Sequence, residues 1–281
     1  MLEANGLRFR ALVEGPADGD MVLLMHGFPE GSESWARQMH ALAHAGFMAV
    51  APDLRGYGMT DAPENVSDYH MDHLVADAKA LVEAFGRTSA HIAGHDWGAI
   101  VAWYFAGTHP QMTTTLTVLS VGHPAALAEA RRDADQRERS RYIELFVQPG
   151  KAEAVLEADD HRRLRAMYAL GPNPEAVPER VVDGFVRSLS RPGRLTAGLN
   201  YYRANLKTET GWGMRPLGDI TSPTQLLWGD QDPALGRLQA ETTRDHVKGR
   251  FHLQVLEGAG HWLQFERPDE VALALSQVTA I

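Results

Sequence analysis

The sequence predicts an α/β fold with a mostly parallel central sheet, helices on both faces and an inserted helical segment. Three observations lead to this prediction. Short apolar runs of strand length recur along the chain and alternate with helical stretches. Most of these runs are continuously apolar, which is typical of strands buried on both faces. Residues 124–214 carry no comparable strand pattern, and the next strand pattern begins at residue 224.

Seven stretches have strand patterns. The first alternates in polarity, the next ones are continuously apolar, and a later one is rich in β-branched residues. These strands are predicted over residues 7–13, 21–25, 47–51, 89–93, 113–121, 224–229 and 251–256. The stretches between them repeat their apolar positions at helical spacing or are apolar throughout. The helices are predicted over residues 34–44, 71–85, 97–107, 234–247 and from Pro268 onwards.

Residues 124–214 are helical in pattern and interrupted by Pro- and Gly-containing breaks such as Pro149-Gly150. We therefore predict a core domain formed by residues 1–123 and 215–281, with a helical lid (cap) domain over residues 124–214. The charge run over residues 131–139 is interpreted as a solvent-exposed helix face.

Composition excludes several classes of function. The chain has 281 residues and a formal net charge of -9, which argues against nucleic acid as the main partner. It has no cysteine, so disulfides and zinc–thiolate sites are excluded. No signal-peptide pattern and no apolar run of membrane-spanning length are present. We expect a cytoplasmic protein with no membrane partner, no metal and no cofactor, and the sequence leaves open whether it forms a homo-oligomer.

Asp96 lies between Gly94 and Gly98, directly after the strand predicted over 89–93 and before an apolar helix. Small neighbours allow a strand and a helix to approach at a sharp turn that lifts the central side chain to the sheet edge. The helix N-terminus favours an ionised carboxylate there. Taken alone, the pattern fits a nucleophile or an ordinary capping residue equally well.

Two further polar residues follow later strands. Asp232 comes after the strand over 224–229, and His261 after the strand over 251–256. Ligands bind at the carboxyl ends of parallel strands, so these side chains are expected to meet Asp96 at one sheet edge. Nucleophile, acid and histidine then follow each other in the order of a hydrolytic triad.

With these residues in this order, the whole chain resembles an α/β-hydrolase of the soluble, microbial epoxide hydrolase type. The resemblance rests on four motifs and one further residue, which together span most of the core. They are HGFPE at 26–30, RGYG at 55–58, GHDWG at 94–98, GHW at 260–262, and Asp232.

The resemblance implies conversion of a small-molecule epoxide and water to a vicinal diol. Asp96 would attack the epoxide carbon and form a covalent alkyl-enzyme ester. Water activated by His261, which Asp232 orients, would hydrolyse that ester.

The resemblance also implies two lid tyrosines that protonate the epoxide oxygen. Tyr142 and Tyr202 match the expected contexts. Tyr201 stands next to the second of them, so a shift of one position stays open, and Tyr168 is the reserve candidate.

The oxyanion would form on the side chain of Asp96, and the backbone N–H groups of Phe28 and Trp97 are the expected donors. The sequence leaves the cis or trans state of the Phe28–Pro29 bond open. His95 is interpreted as a structural hydrogen-bonding residue. The expected substrate pocket is lined by Phe28, Pro29, Trp97, His123 and Trp262.

Two other functions stay open at this point. A haloalkane dehalogenase uses the same Asp nucleophile, but an Asn that often helps to hold the halide is replaced here by Phe28. A non-catalytic ligand receptor on the same fold is the second alternative.

Overall fold

The structure, a computed structural model, describes residues 1–206 and 215–277. Within these ranges the strands are β1 (Leu2–Ala4), β2 (Leu7–Phe9), β3 (Ala11–Glu14), β4 (Met21–Met25), β5 (Met48–Pro52), β6 (Ala90–His95), β7 (Thr113–Leu119), β8 (Thr224–Gly229) and β9 (Phe251–Leu256). The α-helices are α1 (Ala36–His44), α2 (Met71–Ala84), α3 (Trp97–Thr108), α4 (Pro124–Ala130), α5 (Ala134–Arg139), α6 (Tyr142–Phe146), α7 (Lys151–Met167), α8 (Glu179–Leu189), α9 (Arg194–Leu206), α10 (Leu238–Thr242), α11 (Leu263–Glu266) and α12 (Pro268–Ser276). Short 3-10 helices cover Ser32–Trp35, Val66–Tyr69, Pro110–Met112 and Thr243–His246.

Seven strands form one sheet in the order β3-β5-β4-β6-β7-β8-β9. All neighbouring pairs are parallel except β3, which runs antiparallel to β5 at the edge. The predicted mostly parallel sheet is therefore confirmed. Its central strands β4 and β6 are buried along their whole length, as their continuous apolar sequence indicates.

Successive side chains of a strand point to opposite faces of the sheet, and two apolar clusters follow from this alternation. Val22 and Leu24 pack with Met39 of α1 and Leu275 of α12 on one face. Leu23 and Met25 belong to the larger cluster with α2 and α3 on the other face. Helix α3 is buried on all sides, which explains why it is apolar throughout.

The N-terminal prediction was wrong in one respect. Residues 7–13 form two strands, of which β2 pairs with β1 in a separate hairpin and β3 joins the main sheet. Asn5 and Gly6 form the hairpin turn with φ of 47° and 74°, and Asn-Gly is the sequence signal for such a turn. The helices predicted over 34–44 and 234–247 are real but shorter. A 3-10 helix forms part of each stretch, and α10 begins only at Leu238.

Helices α4 to α9 lie between β7 and β8 in chain order, where the lid was predicted. Helix α9 packs on the 3-10 helix Val66–Tyr69 of the remaining fold. Asn205 accepts a hydrogen bond from the backbone N–H of Met71 and donates one to the carbonyl of Tyr69. The division into core and lid domains stays a prediction. Residues 207–214 of the predicted lid and 278–281 of the predicted core lie outside the described residues.

Within residues 1–206 and 215–277, no helix is long and apolar enough to cross a membrane. The expected cytoplasmic location stays a prediction.

Candidate active site

Asp96 occupies the sharp turn between β6 and α3, with φ of 51° and ψ of -119°. A non-glycine residue adopts such a conformation only when the surrounding structure holds it there. Two glycines permit the approach of the neighbouring strand end: a Cβ on Gly98 would lie 2.1 Å from the carbonyl oxygen of Met25, and one on Gly27 would lie 2.4 Å from Cβ of Asp96. The turn therefore forms only because these positions lack side chains.

The carboxylate of Asp96 is held by backbone donors. Its Oδ1 accepts a hydrogen bond of 2.9 Å from the N–H of Phe28. Burial raises the pKa of Asp96, whereas His261, His95 and the N–H groups of Phe28 and Trp97 act to lower it. These two N–H groups are the ones expected for an oxyanion hole.

His261 stands between two carboxylates. Its Nδ1 lies 2.7 Å from Oδ2 of Asp232, and its Nε2 lies 3.8 Å from Oδ2 of Asp96. Oδ1 of Asp232 accepts hydrogen bonds from the N–H groups of Ala234 and Leu235, which fix the carboxylate. The three residues predicted from separate strand ends thus meet at one edge of the sheet.

Burial by itself would lower the pKa of the His261 imidazole. The charge and hydrogen bond of Asp232 and the charge of Asp96 more than offset that effect and raise the pKa to about 9. The imidazolium is therefore the favoured form while both carboxylates are ionised.

A second buried pair, His95 and Glu30, contacts the backbone of His261. His95 Nδ1 lies 2.8 Å from Oε2 of Glu30, and His95 Nε2 lies 2.8 Å from the carbonyl oxygen of His261. These two contacts hold the His95 ring between the Glu30 carboxylate and the backbone of His261. Burial would raise the pKa of Glu30, but His95 and the N–H of Gly27 lower it to about 2. His95 is a buried, hydrogen-bonded residue, as predicted, and its structural role stays a prediction. Glu30 was part of one of the sequence motifs without a predicted role.

Tyr142 and Tyr202 both face Asp96 across a cavity. Their rings lie 6.3 Å apart, and both line the same cavity as Asp96 and His261. Burial, and then the negative charge of Asp96, raises the pKa of both hydroxyls. Each phenol therefore keeps its proton at neutral pH.

The two alternative tyrosines have other partners. Tyr201 donates a hydrogen bond of 2.8 Å to the carbonyl of Arg55, and Tyr168 donates one of 2.5 Å to the carbonyl of Pro29. Neither lines the cavity. The structure therefore places Tyr142 and Tyr202, rather than Tyr168 or Tyr201, beside Asp96.

The cavity has a volume of about 200 Å³ and is mainly apolar. Of the predicted pocket residues, Phe28 and Trp262 line it, but Pro29, Trp97 and His123 do not. Among the described residues, the lining consists of Phe28, Asp96, Arg139, Tyr142, Phe146, Leu156, Met167, Leu170, Tyr202, Pro233, Ala234, His261 and Trp262. No group of three or more His, Asp or Glu side chains within the described ranges is arranged to hold a metal ion.

Residues 20–268 match the model of the alpha/beta hydrolase fold family. This chain belongs to that family. The predicted α/β-hydrolase fold is confirmed.

Similar proteins narrow the resemblance within the α/β-hydrolase family. Epoxide hydrolase 3 from Xenopus tropicalis is 34% identical over 96% of this chain and 74% of its own. Epoxide hydrolase A from Mycobacterium tuberculosis is 33% identical over 98% and 95%. The crystal structure of a variant of an epoxide hydrolase from Bacillus megaterium, complexed with its product (R)-3-[1]naphthyloxy-propane-1,2-diol, superposes with a TM-score of 0.90, at 28% identity over 100% and 99% of the two chains. The predicted resemblance to epoxide hydrolases is confirmed.

The prediction that His123 lines the pocket is wrong. Its ring is fully buried, stacks on His246 and accepts a hydrogen bond from the N–H of Ala125 at the start of α4. His123 ends a strand on the correct edge, but its side chain turns away and caps a helix. Pro29 and Trp97 lie beside the cavity, where Pro29, in a cis peptide bond, accepts from Tyr168 and Trp97 packs edge-on to Tyr202.

The charge run over 131–139 is not wholly a solvent-exposed face. Arg139 lines the cavity and donates a hydrogen bond of 2.5 Å to the backbone carbonyl of Asp232, besides its bond to Asp135. Gln136 is also buried and accepts a hydrogen bond of 2.7 Å from the N–H of Gly236. Both contacts join α5 to residues 232–236, which are distant in the chain. The charge pattern of residues 131–139 therefore could not predict them.

The raised pKa of His261 predicts how stability depends on pH. Its folded-state pKa of about 9 exceeds the ordinary value of 6.5, so the protonated ring stabilises the folded state fully below pH 6.5. This contribution, roughly 3 kcal/mol, is lost as the pH rises from about 6.5 to about 9. Urea unfolding across this window should show the decline, and Asp232→Asn should make it shallower. An Asp232→Asn variant with an unchanged decline would contradict the assignment.

Proposed function

We propose that this α/β-hydrolase is an epoxide hydrolase that opens small epoxides to vicinal diols through a covalent ester on Asp96. The single observation that carries the proposal is the cavity in which one carboxylate, one imidazole and two phenols converge. The names of its relatives, among them epoxide hydrolases from Xenopus tropicalis and Mycobacterium tuberculosis, support it.

In the first step the carboxylate attacks a ring carbon of the epoxide. Oδ1 of Asp96 is engaged by the N–H of Phe28, so Oδ2 is the attacking oxygen. A C–O ester bond forms while the ring C–O bond breaks, and the departing oxygen takes a proton from Tyr142 or Tyr202. A carboxylate suits this role because it is ionised at neutral pH without a base. The phenol supplies the proton that a strongly basic alkoxide needs, and the phenolate regains one from solvent.

In the second step water attacks the ester carbonyl. Ester formation removes the charge of Asp96, which is one of the causes that raise the pKa of His261. The imidazole can then lose its proton to solvent and act as the base on water, with Asp232 stabilising the imidazolium that forms. The N–H groups of Phe28 and Trp97 hold the oxyanion until its bond to the diol oxygen breaks and that oxygen takes the proton from His261. The Asp96 carboxylic acid that remains gives its proton to His261, which restores the starting carboxylate and imidazolium.

The proposal assigns different tasks to the two parts of the chain. The core (residues 1–123 and 215–281) would carry the nucleophile, the base and the oxyanion donors. The lid (residues 124–214) would supply the two phenols and much of the apolar wall, with Phe146, Leu156 and Met167 among the cavity residues.

A dehalogenase is less well supported by the site. A leaving halide needs donors that hold an anion, but the Phe28 side chain, which lines the cavity, has none. Two phenols that keep their protons at neutral pH can supply one to a leaving oxygen, which a halide does not require. A non-catalytic receptor does not need a nucleophile, a base and an acid around one cavity. The site therefore does not support the receptor alternative.

The reaction class can be tested with parallel panels of small epoxides, such as styrene oxide, and of haloalkanes. We expect diol from the epoxides, no halide release, and loss of turnover in Asp96→Ala. Substantial diol formation by a folded Asp96→Ala protein, or halide release that exceeds diol formation, would contradict the proposal.

Replacement of the base should separate the two steps. In His261→Gln the ester still forms, but water is not activated, so the alkyl-enzyme accumulates. Intact-mass spectrometry after mixing with styrene oxide should show the chain plus one substrate mass. His252→Gln, which changes an exposed histidine in β9, serves as the control and should show no adduct at steady state. Failure of His261→Gln to accumulate an adduct would count against the two-step mechanism.

The double variant Tyr142→Phe/Tyr202→Phe should slow epoxide opening by on the order of 10²-fold or more, because the general acids are lost. Single-turnover formation of the ester measures this step directly. Tyr201→Phe is the matched control, since its hydroxyl binds the carbonyl of Arg55, and its rate should stay close to that of the parent chain. A double variant within a few-fold of the parent rate would overturn the tyrosine assignment.

A further inference from the structure

A second cleft lies apart from the candidate active site. Its volume is about 760 Å³, and it shares no lining residue with the cavity around Asp96. One wall comes from the 3-10 helix Ser32–Trp35 and the start of α1, and the opposite wall comes from α8. The cleft therefore lies between the predicted core and lid, on a side that the proposed reaction does not use.

The cleft is positively charged in a negatively charged chain. Five arginines and two acidic residues line it, against a formal net charge of -9 for the whole protein. The two acids are already paired: Arg10 lies 2.9 Å from Glu33 and 3.1 Å from Asp53. A concave surface with an excess of one sign of charge concentrates ions of the opposite sign.

Three of the arginines have no partner among the described residues. Arg37 on α1 and Arg180 and Arg187 on α8 make no ion pair or side-chain hydrogen bond there. Arg180 and Arg187 lie seven residues apart, which is about two helical turns, so they share one face of α8. Gly184 between them leaves open space, since a Cβ built there meets nothing within 4 Å. Exposed arginines thus line the cleft on both walls.

The base of the cleft is apolar and includes one unsatisfied amide. Phe185 and Phe265 line it together with Val181. Gln264 also lines it, is 1% exposed, and neither its Oε1 nor its Nε2 has a hydrogen-bond partner among the described residues.

We propose that this cleft binds a small amphipathic anion: a carboxylate, sulfonate or phosphate ester on an apolar body. The anionic group would lie between Arg37 and the pair Arg180/Arg187, because guanidinium forks match the oxygens of such groups. The apolar body would pack on Phe185 and Phe265. This inference is independent of the proposed epoxide chemistry, since no residue is common to the two sites.

Decanoate is the test ligand, and isothermal titration calorimetry at low ionic strength measures its affinity for the full chain. Replacing Arg37, Arg180 and Arg187 together by Gln should raise the Kd at least about tenfold, because the charge-assisted hydrogen bonds are lost. A matched triple variant replaces Arg132, Arg163 and Arg250, which are exposed outside the cleft, and should leave the Kd within about twofold. Circular dichroism confirms that both variants are folded.

Two further ligands separate the components of the site. Decan-1-ol lacks the charge and sulfate lacks the apolar body, so both should bind at least about tenfold more weakly than decanoate. The proposal is overturned if decanoate does not bind the parent chain, if the cleft variant binds it within twofold of the parent, or if the control variant loses as much affinity. Equal affinity for decan-1-ol or for sulfate would also overturn it.

Discussion

The close approach of two neighbouring strand ends is the constraint on which the site depends. The end of β4 passes so near to the turn after β6 that side chains on Gly27 or Gly98 would collide with Asp96 or with the Met25 carbonyl. That approach brings the N–H of Phe28 within hydrogen-bond distance of the Asp96 carboxylate. The oxyanion donor, the strained turn and the position of the nucleophile are consequences of one packing requirement.

Charge balance is the second organising factor. Asp232 and Glu30 are buried carboxylates, the Asp96 side chain is 14% exposed, and two imidazoles lie among the three. His95 pairs with Glu30 and fixes the carbonyl of His261, whereas His261 bonds to Asp232 and faces Asp96. Buried charges are tolerated when each has a partner. In the proposed mechanism, neutralising Asp96 changes this balance and frees His261 to act as a base.

The inserted helices do more than cover the sheet. They bring Tyr142 and Tyr202 to the cavity. Through Arg139 and Gln136, α5 also contacts the loop that carries Asp232. Helix α8 faces the core across the arginine-lined cleft. The segment between β7 and β8 thus contributes to both candidate sites, and in the proposed function its phenols decide which electrophile the carboxylate meets.

The sequence by itself determined the order of strands β4 to β9, the turn at Asp96 and the meeting of Asp96, Asp232 and His261. These features depend on short-range patterns and on the rule that parallel strands end at one edge. Only the tertiary structure decided which tyrosines face Asp96, that His123 turns away, that residues 7–13 divide between two sheets and that Arg139 reaches the cavity. Each of these depends on how a helix or loop is rotated against distant residues, and that rotation results from packing that no local sequence pattern encodes.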